Sequence, residues 1–115
     1  LCLKKIVDIS EQIVKQEYIA LGWKFIHENW TIRGGEIDLI LQSNNEMVFI
    51  EVKCVDHTDD LHNYVTRSKL RTLHRSIATY CHRIGVPESH NMRVDVVFVK
   101  DNAILHIFDH CSMPA

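Results

Sequence analysis

No part of this chain is apolar for anything near the roughly 20 residues that a membrane-spanning helix requires. The amino terminus, Leu1-Cys2-Leu3-Lys4-Lys5, lacks the apolar core of a secretory signal. These absences predict a cytoplasmic protein with no membrane attachment. The sequence also lacks an initiator Met and reads as trimmed or partial. Cysteine is sparse and dispersed: Cys2, Cys54, Cys81 and Cys111 form no C-x-x-C pair, which argues against a zinc or dithiol redox site and for reduced thiols. Repeats, low-complexity stretches and linkers are missing as well, so the 115 residues read as one domain, 1–115, around a single core. With 46% apolar and 24% charged residues, the composition is that of an ordinary soluble globular protein.

An excess of positive charge is missing too. The net charge is −2, which is awkward for a nucleic-acid binder, whose footprint is usually basic. Distribution matters more than the total. Between Leu61 and Pro87 there is no Asp or Glu, and Arg67, Lys69, Arg71, Arg75 and Arg83 all fall there. Acidic residues concentrate elsewhere, several of them in and around Gly35 to Lys53. A cationic surface beside an acidic pocket suits a metal-dependent enzyme acting on a polyanion; a solvated helix face without a partner is the plainer alternative.

The periodicity predicts a helix from Asp8 to Leu21 with Ile13, Val14, Tyr18 and Leu21 on one apolar face, closed by Gly22. Strands are expected over Trp23–Trp30, Glu36–Leu41 and Met47–Cys54. A second helix follows over Thr66–Ile84, with Leu70, Leu73, Ile77, Cys81 and Ile84 on its apolar stripe. On its flank Arg71, Arg75 and His82 form a one-sided basic ridge. Two more strands, Arg93–Val99 and Ala103–Phe108, complete an order of α-β-β-β-α-β-β. The expected fold class is therefore α/β or α+β, with a mixed central sheet flanked by helices. Residues 55–63 show no periodicity and read as an exposed loop; Asp56, His57, Asp59, Asp60 and His62 match no known ligand spacing.

The chemistry concentrates in one hairpin. Asn44-Asn45 is a natural tight-turn pair, and a symmetric hairpin closed on it sets Asp38 opposite Glu51 and Glu36 opposite Lys53. Directly opposed carboxylates repel and destabilise a ladder. Such a pair is normally kept only where a cation neutralises it, and a hard divalent metal, which takes oxygen ligands, is the natural candidate. Strand side chains alternate, so Glu51 and Lys53 share one face while Val48, Ile50, Val52 and Cys54 take the other. One face is apolar and the other carries reactive groups, a pattern that points to metal-assisted chemistry on a phosphate ester.

A carboxylate on one strand, Glu-x-Lys on the next and a glutamate on a preceding helix resemble the PD-(D/E)xK nuclease superfamily. Within it, Gly22-Trp23-Lys24-Phe25-Ile26-x-x-Asn29-Trp30, Gly35-Glu36-Ile37-Asp38-Leu39-Ile40, Val48-Phe49-Ile50-Glu51-Val52-Lys53, Lys69-x-Arg71-x-Leu73, Arg93-x-Asp95-Val96-Val97 and Ile104-x-His106-Ile107 resemble the YraN-like family. That family is similar in fold to Holliday-junction resolvases, and its members are described as candidate endonucleases. The resemblance implies a restriction-endonuclease-like core and a DNA endonuclease acting on branched or damaged DNA. By analogy with resolvases it also implies a homodimer. Four positions depart from the family pattern: Val7 and Ser10 stand where glycines are usual, and Cys54-Val55 replace the common Thr-Arg after Glu-x-Lys.

On this reading Asp38, Glu51 and the Val52 carbonyl hold Mg²⁺ or Mn²⁺, and Lys53 orients the attacking water or stabilises the transition state. Lys69, Arg71 and Arg75 hold DNA backbone phosphates without sequence specificity. Glu11 matches the family's helix glutamate and can reach the site; alternatively Asp8-Ile9-Ser10-Glu11 is a capping box. Glu36 serves as the ion-pair partner of Lys53 or supports the metal shell. His106 and Asp95 read as structural, His106 as a core histidine. Two rivals to the endonuclease remain open: a non-cleaving nucleic-acid-binding module on the same fold, and a metal-binding structural protein.

Overall fold

The computed structural model describes residues 3–55, 66–87 and 89–111. The expected order of elements is the observed one: α1 (Leu3–Ala20), β1 (Lys24–Ile32), β2 (Gly35–Ser43), β3 (Glu46–Cys54), α2 (Arg67–Ile84), β4 (Asn91–Lys100) and β5 (Ala103–Phe108). The five strands form one sheet in sequence order. β3 and β4 are parallel, joined across α2, and every other neighbouring pair is antiparallel. The result is an α/β fold with a mixed sheet and a helix on each face. Most of the acidic loop expected over 55–63 lies outside the described residues.

The two faces carry separate cores. Val14 and Tyr18 of α1 pack on Leu39, Leu41, Val48, Ile50, Val52, Val97 and Val99. Leu73, Ile77 and Tyr80 of α2 pack on Ile37, Ile40, Met47, Phe49 and Val94. Val94, Val96 and Phe98 face the α2 side, as the alternation of β4 predicts. The ends of both helical stripes turn outward: Leu21 and Ile84, expected on the apolar faces, are 66% and 55% exposed, each at the carboxyl end of its helix.

α1 ends in a Schellman arrangement, with Trp23 N–H donating to Tyr18 C=O and Gly22 N–H to Ile19 C=O. Gly22 takes a φ of +102° there. The helix begins at Leu3, well before Asp8, which removes the capping-box reading: Asp8 and Glu11 lie within an established helix, and Glu11 is buried. His106 also departs from expectation. It is exposed on the edge strand β5, its ring 4.3 Å from that of Phe108, because among the described residues β5 has no neighbour on its outer side.

α2 is capped by the Thr66 side chain, which accepts from Lys69 N–H. Its middle is held against the β1–β2 turn, where Arg75 Nη2 donates to Gly34 C=O at 3.1 Å. A Cβ at Gly35 would lie 2.2 Å from Ser76 Oγ, a fully buried atom group on α2. Only glycine lets the helix approach this closely. Gly35→Ala is therefore expected to destabilise the protein by about 1–3 kcal/mol through overpacking, readable as a lowered midpoint in urea with unchanged slope.

Candidate active site in the cleft between two strands

β2 and β3 pair in the register expected from the Asn44-Asn45 turn, from Ser43 opposite Glu46 to Leu39 opposite Ile50. The ladder stops one pair short of the carboxylates. Asp38 and Glu51 are not ladder partners; instead Asp38 Oδ2 accepts from Val52 N–H at 2.8 Å. This corrects the expected face-to-face opposition, and the physical reason is the one that made it suspect. Two like charges opposed in a ladder push the strands apart, and the freed backbone amide of β3 takes up one carboxylate.

A second irregularity coincides with this opening. Glu28 lies on the α1 side of β1, bonded by Gln12 Nε2 (3.1 Å) and near Lys15 Nζ (3.9 Å). Trp30, two residues on, packs edge-on against Tyr80 of α2, on the opposite side. Between them Asn29 adopts a φ of +50°. β2 does the same: Ile37 belongs to the α2 core and Leu39 to the α1 core. Glu28 pairs with Leu39 and Trp30 with Ile37, so the two reversals, at Asn29 and Asp38, fall opposite each other. A regular pleat never puts residues i and i+2 on different faces. Both strands turn over together, leaving a slot in the sheet at Asp38.

The slot opens on both faces. Toward α2 it is lined by Glu36, Asp38, Glu51, Lys53, Lys69 and Thr72. Toward α1 it is lined by Glu11, Asn29, Glu36, Asp38, Glu51 and Val52. The structure thus brings together Asp38, Glu51, Lys53, Glu11, Val52, Glu36 and Lys69. Arg71 and Arg75 do not line it. Both are exposed, and Arg75 is engaged with Gly34. Lys53 Nζ lies 3.2 Å from Glu51 Oε1, each side chain one quarter exposed. Glu36 is not the partner of Lys53, contrary to one expectation. It lies on β2 opposite Thr31, and the ladder that would have set it across from Lys53 has already ended.

The sequence reading overlooked Asn29 as a site residue. In the amide orientation that satisfies both neighbours, its Nδ2 donates to Glu36 Oε1 at 3.0 Å and to Glu11 Oε1 at 3.1 Å. The hints in the chain were its place in the Gly22 to Trp30 motif and an Asn, a residue that tolerates a left-handed φ, within an otherwise bulky strand.

Electrostatically the slot is an acidic site short of positive charge. Asp38, 8% exposed, is pushed up to about 8 by burial and by Glu51, with the Val52 amide opposing. Glu11, 4% exposed, is raised to about 7 by burial, then by Glu36. Burial raises Glu51 too, against the pull of Lys53. The donors are all oxygens, the set that hard divalent cations prefer. Among the described residues no three His, Cys, Asp or Glu side chains are grouped so as to hold a metal by themselves. A cation here would need the two carboxylates Asp38 and Glu51, the Val52 carbonyl and water. Val52 fits that use: its N–H already faces the gap left by β2, and in a strand the C=O of a residue points the same way as its N–H.

The uncharacterised protein family UPF0102 matches residues 10–99. The chain belongs to this family. It is the YraN-like family that the motifs indicated. A UPF0102 protein of Leifsonia xyli subsp. xyli is 39% identical over 92 residues, which cover 78% of this chain and 77% of that protein. One of Symbiobacterium thermophilum is 35% identical over 103 residues, covering 84% and 83%. One of Vibrio parahaemolyticus is 31% identical over 94 residues, covering 80% and 78%. The family match spans every residue of the slot from Glu11 to Lys69 and ends before β5. No helix among the described residues is long and apolar enough to cross a membrane.

Proposed function

We propose that this UPF0102 protein is a metal-dependent DNA endonuclease of the PD-(D/E)xK type, acting on phosphodiester bonds in branched or damaged DNA. The observation that carries the reading is the slot itself: Asp38 and Glu51, both held against their preferred ionisation, share an opening with Lys53 and with the carboxylate of Glu11. Such an arrangement is unfavourable for folding and is retained where it serves a site.

Asp38, Glu51 and the Val52 carbonyl would hold Mg²⁺ or Mn²⁺, which supplies Lewis-acid polarisation of a phosphate and an acidified water. The chain's own groups do the rest. Lys53, fixed by Glu51, presents an ammonium where charge builds on phosphate oxygens during the reaction. Glu51 thereby has two tasks, and the ion pair keeps the flexible lysine at the opening. Lys69 on the first turn of α2 adds a second cation on the rim, and Arg71, one face further out, continues it along the helix as a backbone-phosphate contact. The resolvase analogy adds a homodimer to this proposal.

A non-cleaving nucleic-acid-binding module on the same fold is the second reading. The net charge of −2 and the engagement of Arg75 with Gly34, which thins the basic ridge, favour it. One experiment separates the two. The protein is incubated with Mg²⁺ or Mn²⁺ and duplex, single-stranded, flap and four-way-junction DNA, alongside Asp38→Ala and Lys53→Ala. Metal-dependent cleavage that drops at least 100-fold in both variants is expected. Binding without cleavage under either metal would establish the module instead.

A further inference from the structure

We propose that Asn29 is a positioning residue of the site, a neutral two-pronged clamp that holds Glu11 of α1 and Glu36 of β2 at the rim of the slot so that their free oxygens can take the waters of a cation on Asp38 and Glu51. The inference rests on the metal-site reading above but concerns a residue that reading does not use.

The geometry is specific. Glu11 and Glu36 come from different elements, and Glu36 raises the cost of charging Glu11. Nothing on α1 or β2 alone would keep two carboxylates together. An Asn amide carries two N–H donors on one nitrogen, and here one goes to each carboxylate, at 3.0 and 3.1 Å. A hydroxyl side chain has a single donor, and a lysine or arginine would neutralise charge that a divalent cation needs. Each glutamate gives one oxygen to the clamp and keeps the other. The side chain can reach between them because Asn29 sits at the reversal of β1, opposite Asp38, with a φ of +50°. At a regular strand position the same residue would have turned its side chain squarely to one face. Backbone and side chain thus make separate demands at this position, and Asn meets both.

That separation supplies the test. Asn29→Gly keeps the left-handed backbone and removes the amide, whereas Asn29→Ala removes the amide and strains the backbone. Mn²⁺ affinity is measured by isothermal titration and stability by thermal unfolding without metal. The expected result is about a 10-fold weaker affinity in both variants, the loss typical of outer-shell groups in metal sites, while Asn29→Ala melts at a lower temperature than Asn29→Gly. In the metal-free protein, nuclear magnetic resonance should show the Asn29 side-chain protons shifted and slowed in exchange, with both effects reduced in Glu11→Ala and lost when Glu36→Ala is added. Undiminished Mn²⁺ affinity in Asn29→Gly, or a freely exchanging Asn29 amide in the wild type, would overturn the clamp and leave the metal site standing. Failure of the wild type to bind Mn²⁺ at all, with Asp38→Ala indistinguishable from it, would overturn the metal-site reading and the clamp with it.

Discussion

Asp38→Asn is expected to raise the thermal stability of the metal-free protein at pH 8 while abolishing any metal-dependent cleavage. An ordinary aspartate ionises near 3.9, and in the slot the same group is held up to about 8. The sign follows from linkage. A carboxyl whose pKa is raised by folding adds stability below its unfolded pKa, and that stability is lost as pH climbs toward the folded value. Between about pH 4 and 8 the wild type is therefore expected to lose stability steadily. Glu11, raised to about 7, adds to the same slope. Asn removes the charge and still accepts the Val52 N–H through its carbonyl oxygen, with its amide left to donate toward Glu51. Each pKa unit corresponds to roughly 1.4 kcal/mol. Asp38 and Glu51 share one field, so relief at pH 8 of about 2 kcal/mol, or roughly 10 °C, is a reasonable expectation. Thermal unfolding of wild type and variant from pH 5 to pH 8 measures it: the two curves should converge at the acid end. A variant less stable than wild type across the range would mean that the carboxylates are relieved in the free protein by something other than protonation.

The largest loss of stability should come from the far end of the α1 core. Asp95 is fully buried and accepts two bonds from Arg93, from Nε and Nη2, each 2.9 Å. The Tyr18 hydroxyl and the His110 backbone N–H complete its shell. Burial and this bond to Asp95 push the Tyr18 phenol well up. Arg93 also lies over the Trp23 ring, 5.4 Å from its centroid. A bidentate pair with every lone pair served is stable as a unit, but removing one member strands a buried charge. Arg93→Ala is expected to cost about 3–5 kcal/mol, a large share of the 5–15 kcal/mol that holds a typical domain. In thermal unfolding that is a fall of roughly 20 °C. Adding Asp95→Asn should recover part of the loss, since Tyr18 and the His110 amide still bond a neutral side chain. If the double variant is no better than the single one, the lost packing on Trp23 rather than the stranded charge is what matters.

Much of this was legible in the chain. Turn residues set the register correctly, because Asn44-Asn45 leaves β2 and β3 little choice of pairing once their apolar faces must be buried. Helical stripes placed Val14, Tyr18, Leu73 and Ile77 in the cores for the same reason. Asp38, Glu51 and Lys53 stood out because charge inside an apolar pattern needs an explanation. The misreadings within the site share one cause. Reading faces by alternation assumes an unbroken pleat, and the pleat breaks at Asn29 and Asp38, so the opposition of Asp38 with Glu51 and the pairing of Glu36 with Lys53 were both extrapolated past the point where they hold. The start of α1 eluded the reading for another reason: a capping-box pattern at Asp8 is also compatible with the interior of a longer helix. His106 and Leu21 carry apolar neighbours in sequence but sit where the sheet and helix run out, which local pattern cannot reveal.

The reversal of β2 at Asp38 also has a mechanical consequence. Ile37 is anchored in one core and Leu39 in the other, so a single stretch of backbone is gripped from opposite sides of the sheet, with the acidic group at the crossing point. Neither layer can loosen without pulling on the other through the backbone at Asp38. The same feature that opens the slot is therefore expected to couple the loosening of one core to that of the other, and places the proposed chemistry at the crossing point between them.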